Sequence, residues 1–334
     1  MNINALFLAG GMGKRLQPLT DWYPKPMVPI MGKPLIERNI NRLKSYGIDD
    51  ITLSICYKPE TILRHFGNGE KYGLHIHYAF EEKPLGTGGA IKNSAKFLNN
   101  TFLVFNADIM CDIDYEEMVR FHKQKKADVT IAVTWVKDPT TYGVIEYDRD
   151  YYATSFTEKP PADQVKSHFI NAGIYIFEKS VLDTIPLGQA VSVERETFPN
   201  LLKNGGKIAV YDGCKYWLDI GTPEKYMQAQ YDIFNGMYTI DEADFTKKNI
   251  FKGHRVKGFD HAFIRGPVYL GENVQIGFGA SIGPNVVIGA NSTIGKNSII
   301  SNSVIWSDVA VKSEIQMLDV VMINNKNVTS SVYT

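Results

Sequence analysis

The sequence lacks the features that mark membrane, secreted and nucleic-acid-binding proteins. No apolar run approaches the roughly 18 residues of a transmembrane helix, and the start at Met1–Asn4 has no basic segment typical of a signal peptide. Lys and Arg together number 36, as do Asp and Glu, so charge gives no support to a nucleic-acid partner. Its 3 cysteines, Cys56, Cys111 and Cys214, are widely separated and show no metal-binding spacing. We therefore expect a cytoplasmic protein with no membrane and no nucleic-acid partner.

The first two-thirds of the chain alternates strand and helix patterns. Ala5–Leu8 is a short apolar run followed by glycines, typical of a strand buried on both faces. Apolar residues then recur at helical spacing before Gly47, and further apolar runs follow at Ile51–Ile55 and Thr101–Phe105. Strand and helix alternating in this way predict an α/β domain with a Rossmann-like, mainly parallel sheet. We place this domain at residues 1–235, and residues 236–262 are the predicted linker.

The last part of the chain carries a six-residue repeat. Aliphatic residues recur at every sixth position, and glycine directly follows most of them: Ile264, Leu270, Ile276, Ile282, Ile288, Ile294 and Ile300, with Trp306 continuing the phase. A period of six fits a parallel β-helix, in which each short strand points one aliphatic side chain inward. The repeat resembles the left-handed hexapeptide helix of acyltransferases and sugar nucleotidyltransferases. We predict such a domain over residues 263–334, with Met317–Thr334 supplying part of the cover for its end. Because its edges need cover, it favours a homo-oligomer.

A glycine-rich segment, Leu8–Thr20, directly follows the first predicted strand. Glycine lets backbone N–H groups approach a polyphosphate without obstruction by Cβ, and Arg15 adds a cation for a leaving pyrophosphate. A P-loop would need Ser or Thr where Arg15 follows Gly13-Lys14. The glycine spacing also differs from the Rossmann dinucleotide fingerprint. Taken alone, the segment fits a structural turn as well as a phosphate site.

Lys25 follows in a segment stiffened by proline on both sides. Pro24 and Pro26 restrict the backbone around the lysine and so limit where its ammonium group can point. A rigidly placed lysine suits a phosphate group, which it meets as a point charge. This context favours the phosphate-site interpretation of the preceding glycines.

These two segments, LAGGMGKRLQPLT and PKPMVPIMGKPLIE, resemble the signature of sugar-1-phosphate nucleotidyltransferases. Within that family they are most similar to mannose-1-phosphate guanylyltransferases. Further matching motifs follow in order along the chain: Pro84–Gly89, Asn106–Asp108, Tyr142–Val144, Glu158–Pro160, Asn171–Gly173, Val191–Glu196 and Trp217–Pro223. The resemblance therefore extends over essentially the whole sequence.

The resemblance implies a Mg²⁺-dependent reaction in which a sugar 1-phosphate attacks the α-phosphorus of a nucleoside triphosphate and pyrophosphate leaves. GTP and mannose 1-phosphate are the favoured substrates. The implied nucleotide-binding residues are Leu8, Ala9, Gly10, Gly11, Gly13, Pro84, Leu85, Gly86 and Thr87. The implied sugar-phosphate residues are Gly143, Glu158, Lys159 and Asn171. Arg15, Lys25 and Lys159 are the implied catalytic cations, and Asp108 and Asp219 the implied Mg²⁺ ligands.

Two departures from the family pattern leave alternatives open. Ala107 stands where glycine is usual, and Gly89 stands where many members have alanine. The LGTGG form also occurs in enzymes for other sugars, so a heptose- or glucose-1-phosphate enzyme using GTP, UTP or dTTP is the first alternative. A regulatory subunit that only binds NDP-sugars is the second. Hexapeptide acyltransferases generally use a histidine between coils, and no histidine follows His261.

Overall fold

The computed structural model describes residues 3–324 and the backbone of residues 326–329. The chain forms two compact units. The first unit comprises Met1–Met12 and Asn39–Trp217, and the second unit comprises Gly13–Arg38 and Leu218–Thr334. Within the described residues, no helix is long and apolar enough to cross a membrane.

The strands and helices have the following bounds. The strands up to residue 219 are β1 (Asn4–Leu8), β2 (Pro29–Ile30), β3 (Lys33–Pro34), β4 (Asp50–Ile55), β5 (His75–Phe80), β6 (Thr101–Asn106), β7 (Ile109–Asp112), β8 (Val129–Trp135), β9 (Gly143–Tyr147), β10 (Ala153–Glu158), β11 (Phe169–Glu178), β12 (Ile208–Tyr211) and β13 (Tyr216–Asp219). The helices are α1 (Leu35–Ser45), α2 (Pro59–Phe66), α3 (Gly86–Asn93), α4 (Tyr115–Lys125), α5 (Phe198–Lys203) and α6 (Pro223–Phe234).

The first unit is built on a nine-stranded sheet. In one half, β1 lies between β4 and β6, and β5 follows β4, with all these pairs parallel. In the other half, β11 pairs antiparallel with β6, β8 and β9, and β9 pairs antiparallel with β10. The predicted α/β fold with a Rossmann-like parallel sheet is confirmed, and the structure adds the antiparallel half. The link between β9 and β10 is too short for a crossover helix, so these two strands form a hairpin.

The parallel half brings the ends of its strands to one edge of the sheet. Just beyond β1, the Ala9 backbone N–H donates to the Ser54 carbonyl (2.9 Å), and just beyond β6 the Ala107 N–H donates to the Leu8 carbonyl (3.2 Å). In open α/β sheets, ligands bind outside the carboxyl ends of the strands. This edge is therefore where the first unit can hold a substrate.

The second unit contains the repeat region. Its strands are β14 (Ile250–Lys252), β15 (Phe263–Ile264), β16 (Val268–Leu270), β17 (Gln275–Ile276), β18 (Ser281–Ile282), β19 (Val286–Ile288), β20 (Thr293–Ile294), β21 (Ile299–Ser301), β22 (Val304–Ile305), β23 (Ala310–Val311), β24 (Gln316–Leu318), β25 (Val320–Ile323) and β26 (Lys326–Thr329). They form three sheets, β14-β16-β19-β22-β25-β26, β15-β18-β21-β24 and β17-β20-β23. All pairs are parallel except that of β25 with β26.

The predicted β-helix is confirmed by register and burial. Ile264 pairs with Ile282, and Ile282 pairs with Ile300, so one coil takes three hexapeptides. From Leu270 to Ile300 the repeated aliphatic side chains are all buried. Residues 325 and 330–334 of the predicted domain, including part of the expected end cover, lie outside the described residues.

The expectation that Trp306 continues the inward row is wrong. Ile288 pairs with Ile305, not with Trp306, because the coil shortens by one residue near Asn302, which has a positive φ of 46°. Trp306 is nevertheless buried, and its indole Nε1–H donates to the hydroxyl of Tyr226 at 2.9 Å. The indole therefore leaves the repeat and contacts helix α6.

The Tyr226 hydroxyl supports a stability prediction. It is fully buried, accepts from Trp306 Nε1 and donates to the Pro29 carbonyl at 2.9 Å. Tyr226→Phe leaves Trp306 Nε1–H without this acceptor, and the Pro29 carbonyl keeps only the 3.3 Å bond from Gln230 Nε2. We therefore expect the free energy of unfolding to fall by about 1–3 kcal/mol. Urea denaturation measures this change.

Trp306→Phe and the double variant complete a double-mutant cycle with Tyr226→Phe. Because the two side chains share one hydrogen bond, the double variant should lose less stability than the two single variants together. A Tyr226→Phe protein as stable as the wild type would contradict the prediction.

Candidate active site

The loop after β1 approaches the end of β5 at a glycine. A Cβ atom at Gly10 would lie 2.9 Å from Glu81 Oε1 and 3.3 Å from Cys56 Cβ, whereas one at Gly11 would meet nothing within 4 Å. A larger residue at position 10 would therefore require the Glu81 carboxylate to move. Gly11 faces open space, as a backbone that receives a phosphate should.

Glu81, which lies beside this loop, connects strand β4 to the predicted base-binding segment. Its Oε1 accepts a hydrogen bond from the buried Ser54 hydroxyl (2.9 Å), and its Oε2 accepts one from the Leu85 backbone N–H (3.0 Å). The carboxylate thus fixes the start of the segment that begins at Pro84. Sequence reasoning missed Glu81, although it stands directly after a strand and four positions before Leu85.

The Pro84–Gly89 segment packs backbone to backbone against residues 189–193. The Val191 N–H donates to the Leu85 carbonyl (2.9 Å), and the Val191 carbonyl accepts from Gly88 N–H (2.8 Å). A Cβ at Gly86 would lie 2.6 Å from the Val191 carbonyl oxygen, and Gly86 has a φ of +67°. A Cβ at Gly89 would lie 2.3 Å from the Gln189 carbonyl oxygen. In this chain, glycine in place of the family's alanine is therefore a packing requirement.

Glu194 is the second carboxylate that sequence reasoning missed. It lies in a π-helical turn, Val193–Thr197, a rare conformation found often at functional sites. Its Oε2 accepts from the hydroxyls of Thr87 and Ser192, both at 2.7 Å, and its Oε1 accepts from the Tyr175 hydroxyl at 3.4 Å. The hydroxyl of Thr87, a predicted nucleotide-binding residue, is therefore hydrogen-bonded to Glu194. The only signal in the sequence was the resemblance of Val191–Glu196 to the family.

The network continues to the predicted sugar side. The fully buried Tyr175 hydroxyl also accepts a hydrogen bond from Asn171 Nδ2 (2.8 Å), and Asn171 Oδ1 accepts from the Gly173 N–H (2.8 Å). Burial, together with the Glu194 charge, raises the pKa of Tyr175 well above its ordinary value. The phenol therefore stays protonated and can hold Asn171 and Glu194 together.

Glu158 and Lys159 end strand β10 beside Gly143. A Cβ at Gly143 would lie 3.0 Å from Glu158 Oε2, so glycine leaves this carboxylate room. Burial, with the charge of Glu194, raises the pKa of Glu158, while Lys159 acts to lower it. Lys159 Nζ lies 3.4 Å from Glu158 Oε1, and the Lys159 side chain is 55% exposed. The lysine can therefore turn towards a phosphate.

Asp108 lies in the two-residue connection between β6 and β7. It is half-buried, while the neighbouring Ala107 is 1% exposed and fits without displacing the strand end. Gly10, Pro84–Thr87, Asp108, Gly143, Glu158–Lys159 and Asn171 all belong to the first unit. Within that unit, Glu81 joins the Pro84–Gly89 segment to Ser54 of β4, and Glu194 joins it through Tyr175 to Asn171.

The second unit holds Gly13, Arg15, Lys25 and Asp219. A Cβ at Gly13, where φ is +63°, would lie 2.9 Å from Lys25 Cβ, and the Thr20 hydroxyl donates to the Gly13 carbonyl (3.1 Å). Lys25 is only 8% exposed. The glycine turn and the lysine therefore form one packed element.

Asp219 is held by a lysine that sequence reasoning missed. Lys225, in the first turn of α6, forms an ion pair with Asp219 Oδ1. A Cβ at Gly221 would meet Asp219 Oδ2 at 2.8 Å and Arg15 Nη2 at 3.5 Å, so Gly221 leaves space beside both side chains. The sequence offers little indication that Lys225 pairs with Asp219. Lys225 stands in the first turn of a helix, three residues after the N-cap Thr222, and nothing in that local pattern points to Asp219.

Asp108 in the first unit and Asp219 in the second each present carboxylate oxygens, the type of ligand that hard cations prefer. Mg²⁺ usually takes one or two carboxylates from the protein and fills its remaining positions with water and substrate phosphates. Over the described residues, no group of three or more His, Cys, Asp or Glu side chains is placed to hold a metal ion.

A glycine loop and carboxylates at the strand ends of a mainly parallel sheet are typical of a nucleotide-binding enzyme of the α/β class. Residues 4–236 match the family model described as nucleotidyl transferase, and residues 264–333 match one described as GMPPB C-terminal domain. The chain belongs to the nucleotidyl transferase family, a family that typically uses a divalent metal.

Curated relatives agree with this membership. A mannose-1-phosphate guanylyltransferase from Mycobacterium tuberculosis is 39% identical over 288 residues, which are 82% of this chain and 77% of the relative. A mannose-1-phosphate guanyltransferase from Gibberella zeae is 36% identical over 231 residues, which are 67% of this chain. The aligned region spans 62% of that fungal relative, less than two-thirds of its length.

Solved structures also resemble the chain. HddC from Yersinia pseudotuberculosis, complexed with GMP-PN, is 33% identical with a TM-score of 0.59, covering 68% of this chain and 97% of HddC. A Bacillus anthracis protein in complex with a sucrose is 23% identical with a TM-score of 0.64, covering 73% of this chain and 99% of that protein. The second likeness shows the fold alone.

The contact at Gly89 supports a prediction with a definite sign. Gly89 lies inside helix α3, where alanine would ordinarily stabilise by about 0.5–1 kcal/mol. Because the new Cβ would lie 2.3 Å from the Gln189 carbonyl oxygen, we expect Gly89→Ala to lower the free energy of unfolding by about 1–3 kcal/mol.

Thermal and urea unfolding measure the effect of Gly89→Ala. Gly11→Ala is the matched control for stability, because its Cβ would meet nothing within 4 Å. Its free energy of unfolding should change by less than about 0.5 kcal/mol. A Gly89→Ala protein that is more stable than the wild type would contradict the prediction. It would show that the contact with the Gln189 carbonyl oxygen is relieved at no cost in free energy.

Proposed function

We propose that the protein transfers a guanylyl group from GTP to mannose 1-phosphate, giving GDP-mannose and pyrophosphate. The names of the Mycobacterium and Gibberella relatives support both substrates. The similar HddC structure with GMP-PN supports a guanine nucleotide. Because the chain spans only part of its relatives, the proposal concerns the reaction and not the whole of their activities.

The observation that carries the proposal is the Glu194 network. One carboxylate accepts hydrogen bonds from Thr87 in the base-binding segment and from Tyr175, which holds Asn171 on the predicted sugar side. An enzyme that joins a nucleotide to a sugar phosphate must hold both partners in a fixed relation, since its catalysis comes mainly from positioning and charge stabilisation. A shared, half-buried anchor would supply that fixed relation within the first unit.

In this proposal the backbone of the glycine loop receives the nucleotide. Leu8, Ala9, Gly10, Gly11 and Gly13 present N–H groups to the phosphates, while Pro84, Leu85, Gly86 and Thr87 form the base and ribose side. Gly11 supports this role, because it faces open space. Glu81 and Glu194 act as positioning residues for the base-binding segment.

The sugar phosphate is assigned to the residues around β10 and β11. Lys159 contacts the attacking phosphate, and Glu158 accepts hydrogen bonds from the sugar hydroxyls. Gly143 and Asn171 line the sugar pocket. A sugar 1-phosphate is already ionised near neutral pH, so its oxygen needs no general base before it attacks the α-phosphorus. The exposed Lys159 ammonium, with only a 3.4 Å ion pair to Glu158, supports its assignment.

Arg15 and Lys25 are the proposed cations for the triphosphate and the leaving pyrophosphate. The buried, packed stem of Lys25 supports this role, because a positioned charge need not reorganise during the reaction. We propose Asp108 and Asp219 as the Mg²⁺ ligands, with Lys225 holding the Asp219 carboxylate in place. When bound, the metal would offset the repulsion between the anionic substrates.

The proposal also covers the domain organisation, the oligomeric state and the location of the protein. We propose a catalytic domain over residues 1–235, a linker over 236–262 and a β-helix domain over 263–334, supported by family matches at 4–236 and 264–333. We also propose a homo-oligomer formed through the β-helix. The exposed apolar residues of its β15-β18-β21-β24 sheet, Phe263, Ile299 and Leu318, support self-association. The free cysteines are consistent with a cytoplasmic location.

Pyrophosphate release tests the reaction. GTP, UTP, dTTP, CTP and ATP are each paired with mannose, glucose and a manno-heptose 1-phosphate in the presence of Mg²⁺. We expect kcat/KM to be at least about tenfold higher for GTP with mannose 1-phosphate than for any other pair, because a site built for one base leaves buried polar groups unpaired with another.

The other outcomes of this assay separate the alternatives. A maximum with manno-heptose or glucose 1-phosphate, or with UTP or dTTP, would reject the proposed specificity and keep the reaction class. Tight binding of GDP-mannose without pyrophosphate release from any pair would favour a regulatory subunit that binds NDP-sugars.

The two proposed metal ligands are tested by Asp108→Asn and Asp219→Asn. An amide is a weaker ligand for Mg²⁺ than a carboxylate, so we expect kcat/KM to fall by about 100-fold or more. The Mg²⁺ concentration for half-maximal rate should rise in each variant that retains activity. The exposed Asp150 provides a control, Asp150→Asn, with unchanged kinetics. Full Mg²⁺-dependent turnover by Asp108→Asn would remove Asp108 from the metal site.

A further inference from the structure

Two of the three cysteines lie side by side in the first unit, and the proposed reaction uses neither of them. Cys111 belongs to strand β7, and Cys214 stands two residues before strand β13. Cys111 Sγ lies 3.7 Å from Cys214 Sγ, and both side chains are free thiols. The two residues are 103 positions apart in the chain, so the fold itself brings the two sulfur atoms into contact.

Strand β7 holds Cys111 in a fixed position. At the start of the strand, Asn39 Nδ2 donates to the Ile109 carbonyl at 2.8 Å. At its end, the Asp112 carboxylate forms an ion pair with Arg42 of helix α1. Cys111 lies between these two anchored positions and is 3% exposed. The strand therefore has little freedom to move, and its thiol is shielded from solvent.

The segment of residues 213–217 brings the second thiol to this strand. The Lys215 backbone N–H donates to the Asp112 carbonyl at 2.9 Å, so a hydrogen bond joins the two residues that directly follow the cysteines. Cys214 is half-buried, whereas Cys111 is buried. A small oxidant can therefore reach the sulfur of Cys214 before that of Cys111.

The electrostatics of the pair assign a separate role to each thiol. The hydrogen bond to Cys214, together with burial, raises the pKa of Cys111 well above its ordinary value. Cys111 therefore stays protonated and donates to the sulfur of Cys214, which favours a thiolate there. Because the thiolate is the form of cysteine that reacts with oxidants, Cys214 is the attacking residue and Cys111 the resolving one.

Strand β13, which follows the second cysteine, carries an aromatic contact to the predicted sugar side. The Trp217 Nε1–H donates to the Ala172 carbonyl at 2.9 Å. The Trp217 ring also meets the Tyr142 ring edge-on, with centroids 5.5 Å apart and an interplanar angle of 78°. The chain neighbours of these two partners are Asn171 and Gly143, which are assigned to the sugar pocket. A displacement of the segment before Trp217 therefore reaches both parts of that pocket.

We propose that Cys111 and Cys214 form a reversible oxidation site, and that joining their sulfur atoms weakens binding on the sugar side. The oxidant is a hydroperoxide. With hydrogen peroxide, the Cys214 sulfur attacks one oxygen, the O–O bond breaks, and a sulfenic acid and water form. The Cys111 sulfur then attacks the Cys214 sulfur, the S–S bond forms, and the S–O bond breaks as a second water leaves with the Cys111 proton. Two thiols and one peroxide thus give one disulfide and two waters, and a dithiol reverses the reaction by exchange.

The fixed position of β7 explains why this bond would act on the sugar side. The two sulfur atoms must approach from 3.7 Å to a bonded distance of about 2.05 Å. Because Asn39 and Arg42 anchor the strand, the segment of residues 213–217 takes up most of the movement and passes it to Trp217. The effect on the sugar side rests on the proposed function, whereas the formation of the bond does not.

Peptide mapping of the full chain tests the oxidation site. The protein is treated with hydrogen peroxide, its remaining thiols are alkylated, and it is digested without reduction. We expect mass spectrometry to find a peptide that joins Cys111 to Cys214, and dithiothreitol to abolish it. Cys56→Ser is the matched control and should keep the linked peptide. Cys214→Ser and Cys111→Ala should each lose it, so the test does not depend on the folding of one variant.

Isothermal titration calorimetry with GDP-mannose tests the effect of the bond. We expect the Kd of the oxidised wild type to be about three- to tenfold higher than that of the reduced protein, since small misplacements weaken a positioned site. The Kd should return to its reduced value after dithiothreitol. GDP lacks the sugar, so its Kd should change less. Peroxide should leave the Kd of Cys214→Ser for GDP-mannose unchanged.

Two results would overturn the proposal. One is absence of the linked peptide after peroxide treatment, with Cys214 alkylated or oxidised alone. The other is a complete Cys111–Cys214 bond that leaves the Kd for GDP-mannose unchanged. Absence of pyrophosphate release from the reduced protein would instead reject the proposed function, because neither the peptide map nor the titration depends on turnover.

Discussion

The candidate site of the first unit depends on the hydrogen bonds that the Glu194 carboxylate accepts. A half-buried carboxylate is stable only when its oxygens are hydrogen-bonded, and Glu194 meets this need with hydroxyls from three separate segments. Those segments carry the base-binding loop, the π-helical turn and strand β11. The raised pKa of Tyr175 keeps its hydroxyl protonated as a donor. The same electrostatic requirement that stabilises Glu194 therefore sets the distance between the two predicted substrate sides.

The second unit is organised by a different constraint, the inward packing of one aliphatic residue per hexapeptide. That regularity ends at Asn302, where the coil loses one residue and Ile305 takes the inward position. Trp306 is then free to hydrogen-bond Tyr226 of helix α6, so the helix is attached to the repeat by a polar contact. Near β2 and β3, the Arg38 side chain also connects separate segments. It donates hydrogen bonds to the carbonyls of Ile30 and Met31 and to the carboxylate of Glu242.

The parts of the fold with strong periodicity were predictable. The six-residue spacing indicated the β-helix because each coil repeats the same packing problem, and the alternation of strand and helix indicated the α/β sheet. The antiparallel half of that sheet was less visible, since short strands such as β9 and β10 carry no pairing direction in their sequence. The glycine loop and Lys25 were recognisable from local chemistry. Glu81, Glu194 and Lys225 were not, because acidic and basic residues beside turns are common and their partners lie elsewhere in the chain.

The sequence by itself determined the family, the two kinds of architecture and the identity of the candidate charged residues, because motifs, periodicity and residue chemistry are local. Only the tertiary structure decided which carboxylates hold the loops. It also showed why alanine is unfavourable at position 89 in this chain, since the Gln189 carbonyl oxygen lies 2.3 Å from the position of the missing Cβ. The contact of Arg38 with Glu242 is likewise a product of the tertiary structure, because the two residues lie 204 positions apart in the chain. Contacts of that range depend on how the chain returns upon itself, which no local pattern specifies.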